Sequence, residues 1–176
     1  MIFTKTPLAG ACVIDLDRHR DARGFFARSF CQREFAAHGL NREIRQCNLS
    51  FNHKAGTLRG LHFQKAPGAE AKLIRCVRGA IHDVIIDLRP ASETYGQHFA
   101  VTLDAGRRRA LFVPESFAHG FQTLEDESEV EYQMTNFYAP EYAAGYRYDD
   151  RAFAIVWPLP VSVISEPDLA WPPFVP

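Results

Sequence analysis

The chain is dominated by short segments that are rich in β-branched and aromatic residues and are bounded by glycine or proline. Such segments predict strands at residues 11–16, 72–77, 80–88, 97–103, 110–113 and 130–134. Only residues 30–38 have helical character, with Gly39 as a stop signal. Arg78 and Gly79 separate two predicted strands and predict a tight hairpin turn. Many short strands without intervening helices favour an all-β jelly-roll barrel with short peripheral helices.

Length and charge are typical of one compact domain that spans residues 1–176. The 176 residues are 47% apolar, which is enough for a sizeable core. The proline-rich tail from residue 157 is expected to pack in an extended form against the barrel. A formal net charge of -1 provides no global positive field, so we expect neither nucleic acid nor membrane as a partner. Any anionic ligand must then be held by local arginines.

The sequence also bears on the cellular compartment. Residues 1–7 lack a basic stretch followed by an apolar run, and no apolar segment approaches membrane-spanning length. We therefore expect a cytoplasmic protein. The cysteines have no paired spacing that would indicate a zinc knuckle or a redox motif, so we expect reduced, mostly buried thiols at Cys12, Cys31, Cys47 and Cys76.

The sequence LRGLHFQ at residues 58–64 places Arg59, His62 and Gln64 on one apparent strand. Because side chains in a strand alternate, His62 and Gln64 point one way, while Leu61 and Phe63 point the other. On an outer face the polar row would be an ordinary solvated surface, whereas inside a barrel it would line a pocket. Alternation alone leaves both possibilities open.

Further ionisable residues interrupt apolar strands. A buried charge is costly unless it is paired, so a barrel that encloses several of them normally holds a binding site. His119, in the segment FAHGF, is by itself more often a structural histidine in an aromatic loop than a catalyst. The other candidates for the barrel interior are Lys72, His82 or Asp83, Glu129, Glu131 and Tyr132.

Several motifs together resemble one known family, and they extend in order from about residue 13 to residue 168. They comprise DARGFF at 21–26, RQCN at 45–48, LRGLHFQ at 58–64, KLIRC at 72–76, DVIIDLR at 83–89, VPESFAHGF at 113–121 and WP at 157–158. This combination resembles the dTDP-4-dehydrorhamnose 3,5-epimerase family.

The resemblance implies a cupin-type jelly roll, a homodimer, and a reaction on a nucleotide-linked 4-keto-6-deoxy sugar without a metal or redox cofactor. The carbonyl at sugar carbon 4 acidifies the hydrogens at carbons 3 and 5, so inversion needs a base, a stabilised enolate and an acid. In family terms His62 is the base and Asp168 is its orienting carboxylate. Lys72 stabilises the enolate oxygen, and Tyr132 donates the proton on the opposite face.

The same resemblance assigns the residues that bind the nucleotide. Arg23 and Arg59 match the diphosphate ligands, a role that suits guanidinium groups. The segment of Gln46, Cys47 and Asn48 contacts the ligand. His119 is a further binding residue, and Tyr138 either stacks on the nucleoside or is an ordinary aromatic residue in a turn.

Departures from the family pattern fall mainly at the nucleotide end. Members usually carry glutamate in place of Arg28 and Ala143, aspartate in place of Cys47, and lysine in place of Pro167. The sugar chemistry is therefore better supported than the identity of the base, and inversion of one carbon or of both stays open.

Two other classes of function stay open at this point. A metal-dependent cupin would take its ligands from His62, Gln64, Glu70 and His119. A non-catalytic module would bind a nucleotide sugar without needing a base or an acid. Retention of His62, Lys72 and Tyr132 argues against the second class.

Overall fold

The computed structural model describes residues 1–41 and 43–175. The strands are β1 (Ile2–Lys5), β2 (Cys12–Asp15), β3 (His19–Asp21), β4 (Gly24–Phe26), β5 (Gln46–Asn52), β6 (Leu58–Gln64), β7 (Lys72–Arg78), β8 (Ala80–Asp87), β9 (His98–Asp104), β10 (Ala110–Val113), β11 (Phe117–Thr123), β12 (Ser128–Met134) and β13 (Ala143–Gly145). The helices are α1 (Gln32–Ala37), α2 (Glu166–Leu169) and a 3-10 turn at Pro140–Tyr142.

Two antiparallel sheets form the body of the molecule. One sheet has six strands in the order β1-β2-β10-β7-β12-β5, and the other has five in the order β13-β6-β11-β8-β9. A separate hairpin consists of β3 and β4. Neighbours along each sheet are often distant in sequence, as expected for a jelly roll. The predicted all-β jelly roll is confirmed.

All six segments predicted as strands are strands, and residues 30–38 contain α1, which is followed by Gly39 in the left-handed region at φ 71°. The hairpin predicted at Arg78 and Gly79 is wrong, because β7 and β8 belong to different sheets. Gly79, at φ 73°, marks the point where the chain crosses between the sheets. A crossing and a hairpin both need a sharp turn, so the local sequence does not distinguish them. The tail is not fully extended, since it contains α2.

Alternate residues of the facing strands fill the space between the sheets. Ile74, Ile85, Leu111, Phe121 and Val130 are fully buried there and form part of one apolar cluster. The closed end of the sandwich is therefore packed like an ordinary protein core. The same inward-facing rows continue to the other end, where their residues become polar.

Within the described residues, no helix is long and apolar enough to cross a membrane. All four cysteines are free thiols. Cys12 and Cys76 are buried, and burial raises the pKa of their thiols to about 11 and about 12. Cys47 is exposed and Cys31 is partly exposed, so the expectation of mostly buried thiols holds for half of them.

A register shift between β6 and β11 organises the polar end. His119 pairs with His62, whereas Phe121 pairs with Arg59, so two steps on β11 match three steps on β6. The extra residue interrupts the alternation and allows Arg59 and His62, which are three residues apart, to line the same cavity. Gly120 lies at this point, and a Cβ there would come within 2.8 Å of the Arg59 carbonyl oxygen.

We expect Gly120→Ala to destabilise the protein by about 1–3 kcal/mol, because the added methyl group would collide with the backbone of β6. Gly106→Ala is the matched control, since an added Cβ there meets only the Asp104 side chain within 4 Å. Its effect should stay within about 0.5 kcal/mol. Urea unfolding of both variants measures the difference, and equal stability would contradict the proposed close packing of the two strands.

Candidate active site

The polar end of the sandwich encloses a cavity of about 440 Å³. Strands from both sheets, the segment after β12 and helix α2 all contribute to its wall. Eight of the residues predicted for the site line this cavity: Asn48, Arg59, His62, Lys72, His119, Tyr132, Tyr138 and Asp168.

Strand alternation explains why charged side chains enter the barrel. Ile74 and Cys76 of β7 belong to the apolar cluster between the sheets, so Lys72 lies on the same inward face. Tyr132 continues the inward row of Val130 on β12 in the same way. His62 and Gln64, the polar row predicted on β6, likewise face the cavity. Of the two possibilities left open by the sequence, the structure therefore shows the pocket and not the solvated surface.

His62 and Asp168 form a hydrogen-bonded pair, with the His62 Nε2 atom 2.7 Å from Asp168 Oδ1. Ser165 caps α2 by accepting a hydrogen bond from the Asp168 backbone N–H, which fixes the start of this helix. Burial opposes ionisation of Asp168, but hydrogen bonds from His62 and from the Gly60 N–H outweigh it and hold the pKa of this carboxyl below its ordinary value. An ionised Asp168 only accepts hydrogen bonds, so His62 carries a proton on Nε2 and leaves Nδ1 as the basic atom.

His119 forms a second pair of this kind with Asp83. It lies on β11 and is buried, which corrects the expectation of an aromatic loop. Its Nε2 atom is 2.6 Å from Asp83 Oδ1, so Asp83 is the inward member of the two candidates on β8. Oδ2 of Asp83 is buried and has no hydrogen-bond partner within the described chain.

The expectation of an interior position is wrong for Glu131. Alternation on β12 turns it away from the cavity, and it lies 3.7 Å from Arg75 as an ion pair. Glu129, two residues earlier, is on the same outward row and does not line the cavity.

Lys72 is buried and faces the cavity. Its Nζ atom lies 3.3 Å from Glu70 Oε1 and donates to the His62 carbonyl oxygen at 3.4 Å. Burial lowers the pKa of Lys72, and the negative charge of Glu70 opposes that shift. The amino group of Lys72 is thus held between the Glu70 carboxylate and the backbone of His62.

Tyr132 is the complementary case. Burial raises the pKa of its phenol, and the charge of Asp83 raises it further, whereas Arg59 lowers it. The ring packs edge-on against His119, with the centroids 6.0 Å apart. Tyr132 therefore remains protonated.

Arg59 is held by a residue that the sequence analysis did not identify. Its Nε donates to Asn52 Oδ1 at 2.8 Å, and Asn52 in turn donates to the Ser128 carbonyl oxygen at 3.1 Å. Trp171 was also not identified by the sequence analysis, and its ring lies edge-on to His62 with the centroids 6.2 Å apart. A strand prediction for β5 would have placed Asn52 on the inner face, whereas nothing in the sequence connects Trp171 to His62.

Three predicted residues do not line the cavity. Arg23 lies in the β3–β4 turn, where its side chain is 90% exposed and paired with Asp21 at 2.6 Å. Cys47 is exposed on β5. Gln46 is at the rim, where its Oε1 atom accepts a hydrogen bond from the Tyr138 N–H at 3.0 Å and its Nε2 atom donates to Asn48.

The four residues considered as metal ligands do not converge on one point. His62 and His119 are paired with carboxylates of their own, and Gln64 turns its amide nitrogen toward Glu70. In the part of the chain that the structure describes, no group of three or more histidine, cysteine, aspartate or glutamate side chains could hold a metal ion. These residues do not fit a metal centre.

Comparison with known proteins agrees with the geometry of the site. A sequence profile of the dTDP-4-dehydrorhamnose 3,5-epimerase family matches residues 5–175. The chain belongs to this family. A family enzyme of Methanothermobacter thermautotrophicus is 44% identical over 174 residues, which cover 97% of this chain and 93% of that protein. The resemblance found in the sequence motifs is confirmed.

Two crystal structures of the family extend the likeness to the fold. The enzyme of Elizabethkingia anophelis superimposes with a TM-score of 0.96 at 36% sequence identity. The match covers 99% of this chain and 96% of that enzyme. The enzyme of Bacillus anthracis, solved with TDP and PPi bound, has a TM-score of 0.94 at 37% identity, with coverage of 98% of this chain and 99% of that one.

We expect Asp168→Asn to move the proton of His62 from Nε2 to Nδ1. The Gly60 N–H donates to Asp168 Oδ2 at 3.2 Å, so an asparagine would keep its oxygen there and turn its NH₂ group toward His62. Long-range ¹H–¹⁵N NMR of histidine-labelled protein distinguishes the tautomers among the seven histidines. Asp83→Asn is the control and should leave the His62 signals in place. An unchanged His62 tautomer in Asp168→Asn would contradict the assignment.

Proposed function

We propose that the protein epimerises dTDP-4-dehydro-6-deoxyglucose to dTDP-4-dehydrorhamnose through an enolate. The observation that carries this proposal is the convergence of three groups on one cavity: a histidine with an orienting carboxylate, a buried ammonium and a neutral phenol. This set matches the needs of proton abstraction next to a carbonyl. Membership of the epimerase family supports the same reaction.

In the proposed mechanism, Nδ1 of His62 removes a proton from the carbon next to the ketone. The electron pair of the broken C–H bond forms the enolate, and the Lys72 ammonium stabilises its oxygen. Tyr132 then gives its phenolic proton to the other face of the same carbon. The enzyme is left with a protonated His62 and a deprotonated Tyr132, and exchange of protons with solvent restores both. A second cycle inverts the second carbon.

The nucleotide is assigned to the mouth of the cavity. Arg59, oriented by Asn52, would hold the diphosphate, and Asn48 would make a further polar contact. His119, which is buried further inside, would be an additional binding residue. Tyr138 is exposed at the rim, where its ring is available to stack on the base. The B. anthracis enzyme with TDP and PPi bound supports a thymidine nucleotide as ligand.

Turnover in deuterated water tests the division of roles. We expect deuterium from solvent to enter carbons 3 and 5 of dTDP-4-dehydro-6-deoxyglucose, as followed by proton NMR. Tyr132→Phe should reduce net inversion more than exchange, because deprotonation by His62 does not need the phenol. Equal loss of exchange and inversion would contradict this division.

His62→Ala is the companion variant in the same experiment. It should lose exchange and inversion together and still bind the nucleotide sugar in calorimetry. Retained turnover in this variant would favour a non-catalytic role for His62. Exchange at one carbon alone in the native enzyme would make it a single-site epimerase.

We also propose that the enzyme acts as a homodimer. Strand β5 lies at the edge of the six-stranded sheet and exposes apolar side chains, and Leu49 is 61% exposed. Phe26 of the β3–β4 hairpin is 77% exposed. A hydrophobic patch on a sheet edge is a typical contact surface. Arg23 lies on the same hairpin, outside its own cavity, so as a diphosphate ligand it would reach the cavity of a second copy.

Phe26→Glu and Leu49→Glu should each weaken the dimer, because the contact would then have to bury a charge. Val156→Glu is the matched control, since Val156 is 81% exposed but lies outside β5 and the β3–β4 hairpin. Light scattering after size exclusion should give a dimer for the native protein and for Val156→Glu, and a monomer for the other two. A monomeric native protein would contradict the proposal.

A further inference from the structure

The cavity contains one carboxylate that the mechanism above does not use. Glu70 lies between β6 and β7, and its side chain is 3% exposed. Oε1 of Glu70 lies 3.3 Å from Lys72 Nζ, and the Lys72 side chain is itself only 8% exposed. The two groups are therefore a buried ion pair on the wall of the cavity.

Gln64 fixes the orientation of this carboxylate. The Ala139 N–H donates to Gln64 Oε1 at 2.7 Å, so the amide oxygen faces the segment after β12. The amide nitrogen then donates to the Gly68 carbonyl oxygen at 2.7 Å and to Glu70 Oε2. Each oxygen of Glu70 thus faces a donor, an amide on one side and an ammonium on the other. Burial raises the pKa of Glu70, whereas Lys72 and the hydrogen bond from Gln64 act in the opposite direction. The two donors therefore favour the ionised carboxylate, which only accepts.

The other carboxylates near Lys72 have partners of their own. Asp83 of β8 favours the charged form of Lys72 at longer range, but it is hydrogen-bonded to His119. Asp168 of α2 is bound to His62. Glu115 follows β10, and its charge raises the pKa of Glu70. It makes no ion pair with Lys72 within the described residues. The remaining ionisable groups that face the cavity from neighbouring elements are Arg59, His62, His119, Tyr132 and Tyr138.

We propose that Glu70 is the positioning residue of Lys72: it supplies the counter-charge of the ammonium and thereby sets the alkaline limit of the reaction. The role rests on the proposed function, in which the Lys72 ammonium faces the enolate oxygen. Glu70 acts through Lys72 and not on the substrate.

The direction of the pH effect follows from the surroundings of the two proton-bearing groups. Burial raises the pKa of Tyr132 and lowers that of Lys72, so Lys72 is the first of the two to lose its proton as the pH rises. The alkaline limb of the rate profile therefore reports Lys72. The charge of Glu70 raises the pKa of Lys72, so removing this charge moves the limb to lower pH.

Glu70→Gln tests the role by its effect on the pH profile. An amide cannot act as a counter-charge. Its NH₂ group would also have to face one of the two existing donors, either the Gln64 amide nitrogen or Lys72 Nζ. We expect the alkaline limb of kcat/KM to move to lower pH by about one unit or more. Glu70→Asp keeps the charge and should restore most of the alkaline range.

Glu115→Gln is the matched control, because it removes an exposed negative charge that does not contact Lys72. Its limb should coincide with that of the native enzyme. An alkaline limb that does not move in Glu70→Gln, or that moves as far in Glu115→Gln, would overturn the role of Glu70.

NMR titration of the lysine side chains provides a readout that does not depend on turnover. The chain has only four lysines, so ¹³Cε-labelled lysine gives few signals, and Lys72→Arg identifies the one of interest. The titration midpoint of Lys72 should fall in Glu70→Gln. If that variant does not fold, Glu70→Asp replaces it and should lower the midpoint by a smaller amount. An unchanged midpoint overturns the pairing, whereas native protein without turnover overturns the proposed function alone.

Discussion

The structure depends on the pairing of charges that are taken out of water. Removing an ionisable group from water costs several kcal/mol unless a partner compensates. The polar end of the sandwich holds three ionisable side chains on strands of both sheets, and each has a carboxylate of its own. The pairs are His62 with Asp168, Lys72 with Glu70, and His119 with Asp83. The cavity can form only when both sheets and the tail are in place.

The same pairing separates the chemical roles of similar groups. His62 contacts a carboxylate whose pKa is held low, so its Nδ1 atom is left to accept a proton. Tyr132 is partly buried, no carboxylate within the described residues is hydrogen-bonded to it, and desolvation keeps its phenol protonated. Lys72 lies between these extremes, with burial and Glu70 acting in opposite directions. The proposed base, acid and cation thus differ in their surroundings as well as in residue type.

Alternation along single strands predicted much of this arrangement. Lys72 and Tyr132 could be placed inside because each continues a row of apolar residues on its strand. Alternation alone could not place Arg59, which only the family resemblance assigned to the site. Alternation puts it on the face opposite to His62, and the register shift with β11 brings it inward. Asp168 is 106 residues from His62, so the residues alone gave no sign of this contact and only the family resemblance suggested it.

The two ends of the cavity differ in how tightly they are built. Deep in the cavity, His62, Lys72 and His119 each have a carboxylate partner, so substitution of that partner leaves an ionisable group unpaired. At the mouth, Ala143 and Pro167 line the wall where family members usually carry charged residues, and Tyr138 is largely exposed. Neutral residues at the mouth leave no buried charge behind. The proposed nucleotide end can therefore vary in sequence without disturbing the groups proposed to move protons.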